Sequence, residues 1–191
     1  GDISTWSFCQ DKIISTAGEG GMISTNNFDL WKKIWSFKDH GKNYDLIKNK
    51  KQSLGFRWVH DSFGNNFRLT EIQSSIGRIQ LKRLDYWNSL RAKNAEILTR
   101  ELVDCPLIRI PKLPNNIKHA WYRFYCYLYT EKLLDCWNRD RIVYEINNLG
   151  APAFTGSCGE IYREKCVSNA GFVPNHELKV AKELSETSLA F

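Results

Sequence analysis

The 191-residue sequence has no run of about 18 apolar residues, so it predicts no membrane-spanning helix. The first ten residues lack the basic start and apolar core of a signal peptide. Six cysteines form no CxxC pair, which leaves no zinc-like spacing, and a disulfide framework is not typical of a chain this long. These absences predict reduced thiols and a cytoplasmic protein.

Several motifs of common enzymes are also missing. No GxxxxGK is present, which excludes a P-loop, and no GxSxG is present, which excludes the usual serine-hydrolase turn. The four histidines have no metal-like spacing, and no metal site is predicted. None of these common motifs therefore identifies a function for the sequence.

Aromatic residues are plentiful, with 7 Trp, 8 Tyr and 10 Phe, and 42% of the residues are hydrophobic, so a packed core is expected. The net charge of +6 is diluted by 21 acidic residues. The densest basic patch, Lys48 to Gln52, is predicted to be a solvated loop rather than a nucleic-acid site. Basic surface would equally suit an anionic small substrate.

Both ends of the chain have an internal character. The first residue is Gly1, the chain opens inside a predicted strand, and it closes on the apolar SLAF. Natural termini are usually polar and frayed. We therefore expect a piece of a longer protein.

The first half of the chain alternates strand and helix signals. DISTWSF predicts a buried strand and GGMISTN a second one, while residues 38 to 65 predict an irregular loop. Asn27 is expected to cap a helix with an apolar face made of Leu30, Trp31, Ile34 and Trp35. Thr70 and Gln73 form a capping-box pattern. They predict a helix from Thr70 to about Leu102, with Ile72, Ile76, Ile79 and Leu84 near one face.

The second half predicts a smaller α+β unit after a crossover between Pro106 and Pro114. WYRFYCYLYT, at 121 to 130, predicts a strand, and DRIVYEINNLG predicts a helix that Gly150 ends. PNHELKVAKELSE predicts a last amphipathic helix. Its inward residues would be Leu178, Ala181 and Leu184. The overall class is α/β, with domains at 1–105 and 106–191.

Lys12 stands between the first predicted strand and the glycine-rich GEGG. On composition alone, a solvated surface charge is the more probable role of a loop lysine. A lysine at the mouth of a sheet can also be desolvated, which would lower its pKa and make the amine nucleophilic toward a carbonyl. Pyridoxal phosphate (PLP) enzymes need such an amine, and the Ser7 hydroxyl could bind the phosphate. Both roles remain open at this point.

SFCQDKIISTAGEGGMISTN resembles the lysine segment of the DegT/DnrJ/EryC1/StrS family of PLP-dependent sugar aminotransferases. FGNNFRLTEIQSSIGRIQL resembles the motif before the family's long helix. HAWYRFY at 119 and GSCGEIYREK at 156 resemble its C-terminal part. Cys9 and Ala17 depart from commoner residues, but Lys12 is kept, which favours transamination over the dehydratase chemistry of relatives with His.

The resemblance implies the end of the large PLP-binding domain of a fold type I aminotransferase, at 1–105 and including a long helix. A small α+β C-terminal domain, truncated at its end, would follow at 106–191. Lys12 would hold PLP and move protons, and Ser7 would bind the phosphate. Asn66 and Arg68 would reach the partner subunit's phosphate or substrate. His119 and Tyr122 are candidates for substrate contacts.

The implied reaction moves an amino group from an amino acid, with glutamate the expected donor, onto a nucleotide-linked keto-sugar, in amino-sugar or cell-surface polysaccharide biosynthesis. The implied assembly is a cytoplasmic homodimer with shared active sites, without nucleic acid or membrane. Residues of the family that precede the lysine segment are not in this sequence, so the 191-residue chain is expected to be inactive alone. The alternative is a non-catalytic interaction module that retains the scaffold.

Overall fold

A computed structural model describes residues 1–49 and 58–191. In chain order, the elements are β1 Ser4–Ser7, β2 Gly21–Ser24, α1 Phe28–Lys38, α2 Tyr44–Lys48, α3 Glu71–Leu81, α4 Leu84–Leu102, β3 Ile108–Arg109, β4 Tyr125–Leu128, α5 Arg139–Asn148, α6 Lys165–Asn169, α7 Lys179–Thr187 and β5 Ser188–Ala190. Short 3₁₀ turns occupy Thr130–Lys132 and Ile161–Arg163. The mixture of helices and short strands agrees with the predicted class.

The chain divides into two compact units, unit 1 at Gly1–Trp87 and unit 2 at Asn88–Phe191. The division falls inside α4, whereas the sequence places a domain boundary at 105/106. A compact unit is defined by contacts within the chain, whereas a domain is defined by the segment that folds together. The boundary at 105/106 therefore stays a prediction.

In unit 1, β1 and β2 form an antiparallel pair with a register from Ser4 opposite Ser24 to Ser7 opposite Gly21. Both strands lie where the sequence predicts them. The prediction that the first strand is buried is wrong for this chain, because every residue of β1 and β2 is exposed. Alternation indicates a strand, but burial depends on what packs against the pair.

Helix α1 begins where Asn27 predicts it, and the Asn27 side chain accepts hydrogen bonds from the backbone N–H groups of Asp29 and Leu30. The prediction of an irregular loop over 38–65 is wrong for Tyr44–Lys48, which form α2. The Tyr44 ring meets the Trp31 ring edge-on at 4.8 Å, so tertiary packing holds this short helix. Of the basic patch, Lys48 ends α2, and residues 50–52 lie outside the described residues.

The predicted capping box is confirmed, since the side chain of each of Thr70 and Gln73 bonds the backbone of the other at the start of α3. A single helix from Thr70 to Leu102 is wrong, because the chain leaves the helix at 82–83 and α4 starts at Leu84. There the Arg83 N–H bonds the Gln80 carbonyl, a tighter turn than an α-helix makes. On the predicted apolar face, Ile72 is 75% exposed, while Ile76 is half-buried.

Unit 2 is built on a three-stranded antiparallel sheet in the order β3-β4-β5. The aromatic strand is present but shorter than predicted, covering Tyr125–Leu128 of 121–130. The closing residues Ser188–Ala190 form β5, a strand that the sequence does not predict. The core of unit 2 consists of Ala95, Phe124, Cys126, Leu128 and Leu189.

Helix α5 ends as predicted, with Gly150 in the left-handed region at φ +87°. Helix α7 begins at Lys179, later than the sequence predicts, because Leu178 takes the N-cap position and is 37% exposed. Leu178 is therefore not inward, whereas Ala181 and Leu184 are half-buried. Burial raises the pKa of the Cys126 thiol to about 11, with a smaller contribution from Cys105.

Within residues 1–49 and 58–191, no helix is long and apolar enough to cross a membrane. The same residues contain no group of three or more His, Cys, Asp or Glu side chains arranged to hold a metal ion.

Candidate active site

The segment between β1 and β2, residues 8–20, is called here the lysine loop. Backbone bonds tie its ends to each other: the Phe8 N–H donates to the Gly20 carbonyl at 2.8 Å, and the Thr16 N–H donates to the Phe8 carbonyl at 3.2 Å. Ala17 and Gly18 turn the chain back with φ of +59° and +137°. Ala17 is thus a non-glycine residue in the left-handed region, where alanine is less favourable than glycine.

Lys12 lies at the tip of a turn in this loop, where its N–H bonds the Cys9 carbonyl at 3.0 Å. Its Nζ lies 3.2 Å from Asp11 Oδ1, and its side chain is 34% exposed. Desolvation of the Lys12 amine stays a prediction. Sequence reasoning missed Asp11, although its position next to the lysine was a visible signal.

Ser7 is the last residue of β1 and directly precedes the lysine loop. Its Oγ accepts a hydrogen bond from the Cys9 N–H at 3.4 Å, so the hydroxyl hydrogen can still donate to a ligand. The chain thus has a hydroxyl donor at the end of β1 and an amine five residues later in the lysine loop. Their roles as phosphate and cofactor ligands remain predictions.

The loop also pairs a thiol with a carboxylate. The Cys9 Sγ donates to Glu19 Oε1 at 3.2 Å. This bond raises the pKa of the Cys9 thiol, because a deprotonated sulfur would lose the bond and face the Glu19 charge. The pair joins the start of the loop to GEGG, and the raised pKa keeps Cys9 a poor nucleophile.

Asn66 and Arg68 are brought together in a second loop of unit 1. The Arg68 Nε donates to Asn66 Oδ1 at 2.9 Å, and an Arg68 Nη lies 3.8 Å from Asp39 Oδ1. The Arg68 side chain keeps 48% of its exposure. The remaining Nη lies 3.4 Å from His40 Nε2, so each nitrogen of the guanidinium has a neighbour within the chain.

Asp39 is the buried anchor of this second loop. Burial pushes its pKa up, but the hydrogen bond from Lys42 and the charges of Lys42, Lys38 and Arg68 outweigh burial, so the pKa lies below its ordinary value. Asp39 also forms a β-bridge to Asn66. Sequence reasoning missed it: Lys38 and Lys42 are close in the chain, but the link to Asn66 and Arg68 forms only on folding.

Gly64 is needed for close approach. A Cβ at this position would lie 2.4 Å from the Gly41 nitrogen and 2.7 Å from the Phe37 oxygen. The structure gives Gly64 a packing role. The absence of a side chain lets this loop lie directly on the segment that follows α1.

His119 and Tyr122 belong to unit 2. His119 Nδ1 accepts a hydrogen bond from the Trp121 N–H at 2.9 Å, with Trp121 at φ +52°. Arg91 Nη1 donates to the carbonyls of Trp121 and Tyr122. These bonds fix the backbone of the segment, while substrate contacts by His119 and Tyr122 remain a prediction.

This geometry defines the lysine-bearing half of an aminotransferase-like chain, and comparisons support that class. An aminotransferase from Psychrobacter cryohalolentis has the same fold over 100% of this chain and 50% of its own, with a TM-score of 0.92 and 45% identity. An E. coli GDP-4-keto-6-deoxy-D-mannose-3-dehydratase with bound hydrated PLP matches over 100% of this chain and 49% of its own. Its TM-score is 0.80 at 23% identity, a likeness of fold alone.

The sequence matches the DegT/DnrJ/EryC1/StrS aminotransferase family over residues 1–190, and the chain belongs to that family. Among curated relatives, the GDP-perosamine synthase of Caulobacter vibrioides is 40% identical over 153 residues, which are 78% of this chain and 37% of the synthase. An uncharacterized protein of Methanocaldococcus jannaschii is 28% identical over 189 residues, which are 97% of this chain and 48% of that protein. The chain thus spans about half the length of this relative.

Proposed function

We propose that the protein carrying this chain is a PLP-dependent aminotransferase that moves an amino group from an amino acid, glutamate in the first instance, onto a nucleotide-linked keto-sugar. The observation that carries the proposal is Lys12, which lies in a loop tied at both ends in a chain that belongs to this family. The similarity to GDP-perosamine synthase supports a nucleotide-sugar substrate. A role in cell-surface polysaccharide synthesis in the cytoplasm follows from that substrate class.

The donor set of the lysine loop suits PLP. That cofactor needs an amine for its aldehyde and hydrogen-bond donors for its phosphate, and the loop provides Lys12 Nζ and the Ser7 hydroxyl. When bound, PLP supplies a sink for the electron pair released at a substrate carbon. Membership of the DegT/DnrJ/EryC1/StrS aminotransferase family supports the same group here.

The chain's own residues would act in simple ways. Lys12 holds the cofactor at rest, and its amine then carries a proton at the reacting carbon. Asp11, 3.2 Å away, stabilises the protonated amine between these steps. Ser7 orients the phosphate, and His119 and Tyr122 are the proposed substrate contacts.

Asn66 and Arg68 are proposed to act across a homodimer, each on the partner's phosphate or substrate. Arg68 suits this role because its side chain is 48% exposed and a guanidinium has a planar set of donors that suits an anion. Its bond to Asn66 holds it in one direction. The alternative is a loop that only caps and turns, with no ligand.

Lys12→Ala tests the lysine directly in the full-length protein. We expect loss of the visible band of bound PLP and a fall in turnover on the order of 10³-fold or more, measured with glutamate and a panel of nucleotide keto-sugars. Lys12→Arg should not restore activity, because a guanidinium stays protonated. Lys33→Ala, on the exposed side of α1, is the matched control and should behave as wild type.

Full activity of Lys12→Ala would end the catalytic assignment and favour the non-catalytic module. The 191-residue chain alone should bind PLP weakly and without turnover. Borohydride trapping at low PLP, followed by peptide mapping, measures this. Tight stoichiometric trapping with turnover would contradict the expected inactivity.

A mixed dimer tests the shared site. Lys12→Ala and the double variant Asn66→Ala/Arg68→Ala should each be nearly inactive. Mixing them should restore part of the activity, because one site would combine an intact lysine with an intact partner loop. No recovery in a confirmed mixed dimer would place both defects in one chain's site.

A further inference from the structure

One face of α3 lies against the lysine loop, and its residues are spaced by one and two helical turns. The three that touch the loop are Gln73, Gly77 and Gln80. Residues at i, i+4 and i+7 share a helix face. The contacts therefore come from a continuous surface of the helix rather than from one side chain.

The two glutamines use opposite ends of their amides. Gln73 Nε2 donates to the Glu19 carbonyl at 2.7 Å. Gln80 Oε1 accepts from the Ser15 N–H at 2.7 Å. A carbonyl can only accept and an N–H can only donate, so position 73 must supply a donor and position 80 an acceptor.

Between the glutamines, the helix and the loop are in close contact through Thr16. Thr16 is only 2% exposed. A Cβ at Gly77 would lie 2.9 Å from Thr16 Cγ2, and a Cβ at Gly20 would lie 2.2 Å from Thr16 Oγ1. Thr16 thus fits between two glycines, with no room for a further methyl group on either side.

Gln73 also takes part in the capping box of α3, and the two bonds together require an amide at this position. Its Oε1 accepts from the Thr70 N–H at 3.3 Å in the capping box, while its Nε2 reaches the loop. A glutamate would serve the capping box equally well. Glutamate has no N–H, however, so it could not donate to the Glu19 carbonyl.

We propose that this face of α3 positions Lys12: Gln73, Gly77 and Gln80 hold residues 15–20 of the lysine loop and so fix where the Lys12 amine stands. Ser15 and the Phe8 backbone are both tied, and Lys12 lies between them. These are positioning residues rather than catalytic ones. The inference rests on the proposed function where it is tested by PLP binding at Lys12. It does not rest on that function where it is tested by the mobility of the loop.

The test uses variants of the full-length protein and depends on the difference between position 73, which needs a donor, and position 80, which needs an acceptor. Gln80→Glu keeps an acceptor, whereas Gln80→Leu removes it and Gln73→Glu removes the donor. We expect Gln73→Glu and Gln80→Leu to raise the PLP concentration for half-maximal borohydride trapping at Lys12 roughly tenfold. Gln80→Glu should stay within about twofold of wild type.

Helix stability alone predicts the reverse order. A glutamate in the first turn of α3 favours the helix, and one in the last turn disfavours it, because of the helix dipole. Hydrogen exchange of the amides of residues 15–20 without PLP gives the second readout. It should accelerate in Gln73→Glu and Gln80→Leu, and not in Gln80→Glu.

Wild-type loading and exchange in Gln73→Glu would overturn the proposal, as would equal defects in Gln80→Glu and Gln80→Leu. If wild-type protein is not trapped at Lys12 at all, the proposed function fails. The exchange pattern then still decides whether α3 holds the loop. The isosteric glutamate variants keep the test decisive if Gln80→Leu does not fold.

Discussion

Unit 2 buries Phe124, Cys126 and Leu189 around its central strand, whereas the buried residues of unit 1 include Thr16 and Asp39. In the described part of unit 1, Val59 is the one buried apolar side chain, at 6% exposure. Unit 2 is thus stabilised by apolar burial, which tolerates changes of similar volume. Unit 1 depends on hydrogen bonds, an ion pair and close glycine contacts, in which each partner's chemistry is fixed.

Leu189→Ala should give the largest loss of stability. Leu189 is 1% exposed in β5, so truncation leaves a cavity and should lower the free energy of unfolding by about 2–5 kcal/mol. Urea titration measures this. Ile23→Ala in β2 is the matched change in unit 1, 47% exposed, and should lower it by less than about 1 kcal/mol. Equal losses would break the contrast between the units.

Gly64→Ala should give the next largest loss, about 1–3 kcal/mol, because the new methyl group meets backbone atoms that have little room to move. Gly171→Ala in unit 2 is the comparison: its φ is +72°, but nothing lies within 4 Å, so only the dihedral strain applies. Thermal unfolding of both variants separates steric from dihedral effects. A smaller loss for Gly64 than for Gly171 would remove the packing role of Gly64.

Asp39 makes the stability of unit 1 depend on pH. Its pKa is lowered on folding, so its stabilisation is complete above its ordinary pKa of 3.8 and is lost as the pH falls through the lowered value. The Asp39→Asn variant should therefore have a lower free energy of unfolding than wild type at pH 7. This loss should be smaller than that of Gly64→Ala. The difference should shrink below pH 3.8.

The control is Asp140→Asn in unit 2, since Asp140 is 77% exposed beside Arg139. It should change stability little at either pH. Urea titrations at several pH values compare the two variants. A constant difference between Asp39→Asn and wild type across the range would contradict the assigned role of the Asp39 charge.

Ala17→Gly should give the smallest effect, a gain of up to about 1 kcal/mol. Ala17 has φ +59°, a strained value for alanine that glycine adopts freely, although glycine also gains entropy when unfolded. Gly150→Ala in unit 2, at φ +87°, is the reverse change and should lose a similar amount. Differential scanning calorimetry can resolve the opposite signs. A loss on Ala17→Gly would show that the left-handed turn is not strained.

Local signals account for what the sequence predicts correctly. Asn27 and the Thr70–Gln73 box act within one turn of their own helices, so their positions are visible in the sequence. The exposure of β1 and the existence of β5 depend on distant segments, so the sequence predicts the first wrongly and does not predict the second. Helix α2 combines both kinds of signal: Asn43 caps it locally, whereas the contact of the Tyr44 ring with Trp31 depends on folding.

The site divides in the same way. Lys12 and Ser7 stand in a continuous motif, so the sequence identifies them without the structure. The bond from Ser15 to Gln80 joins residues that are 65 positions apart, and only folding brings them together. A spacing of seven between two glutamines on a predicted helix was the one signal available.

Strand β5 also has a consequence for the order of events during synthesis. Central strand β4 pairs with β3 and β5, and Leu189 completes the core around Cys126. The roughly 60 residues between β4 and β5 take about 3–12 seconds to translate at 5–20 residues per second. During that interval one edge of β4 stays unpaired on the ribosome. Unit 2 therefore closes only after its last strand has been made, and chaperones have their best opportunity to bind it before then.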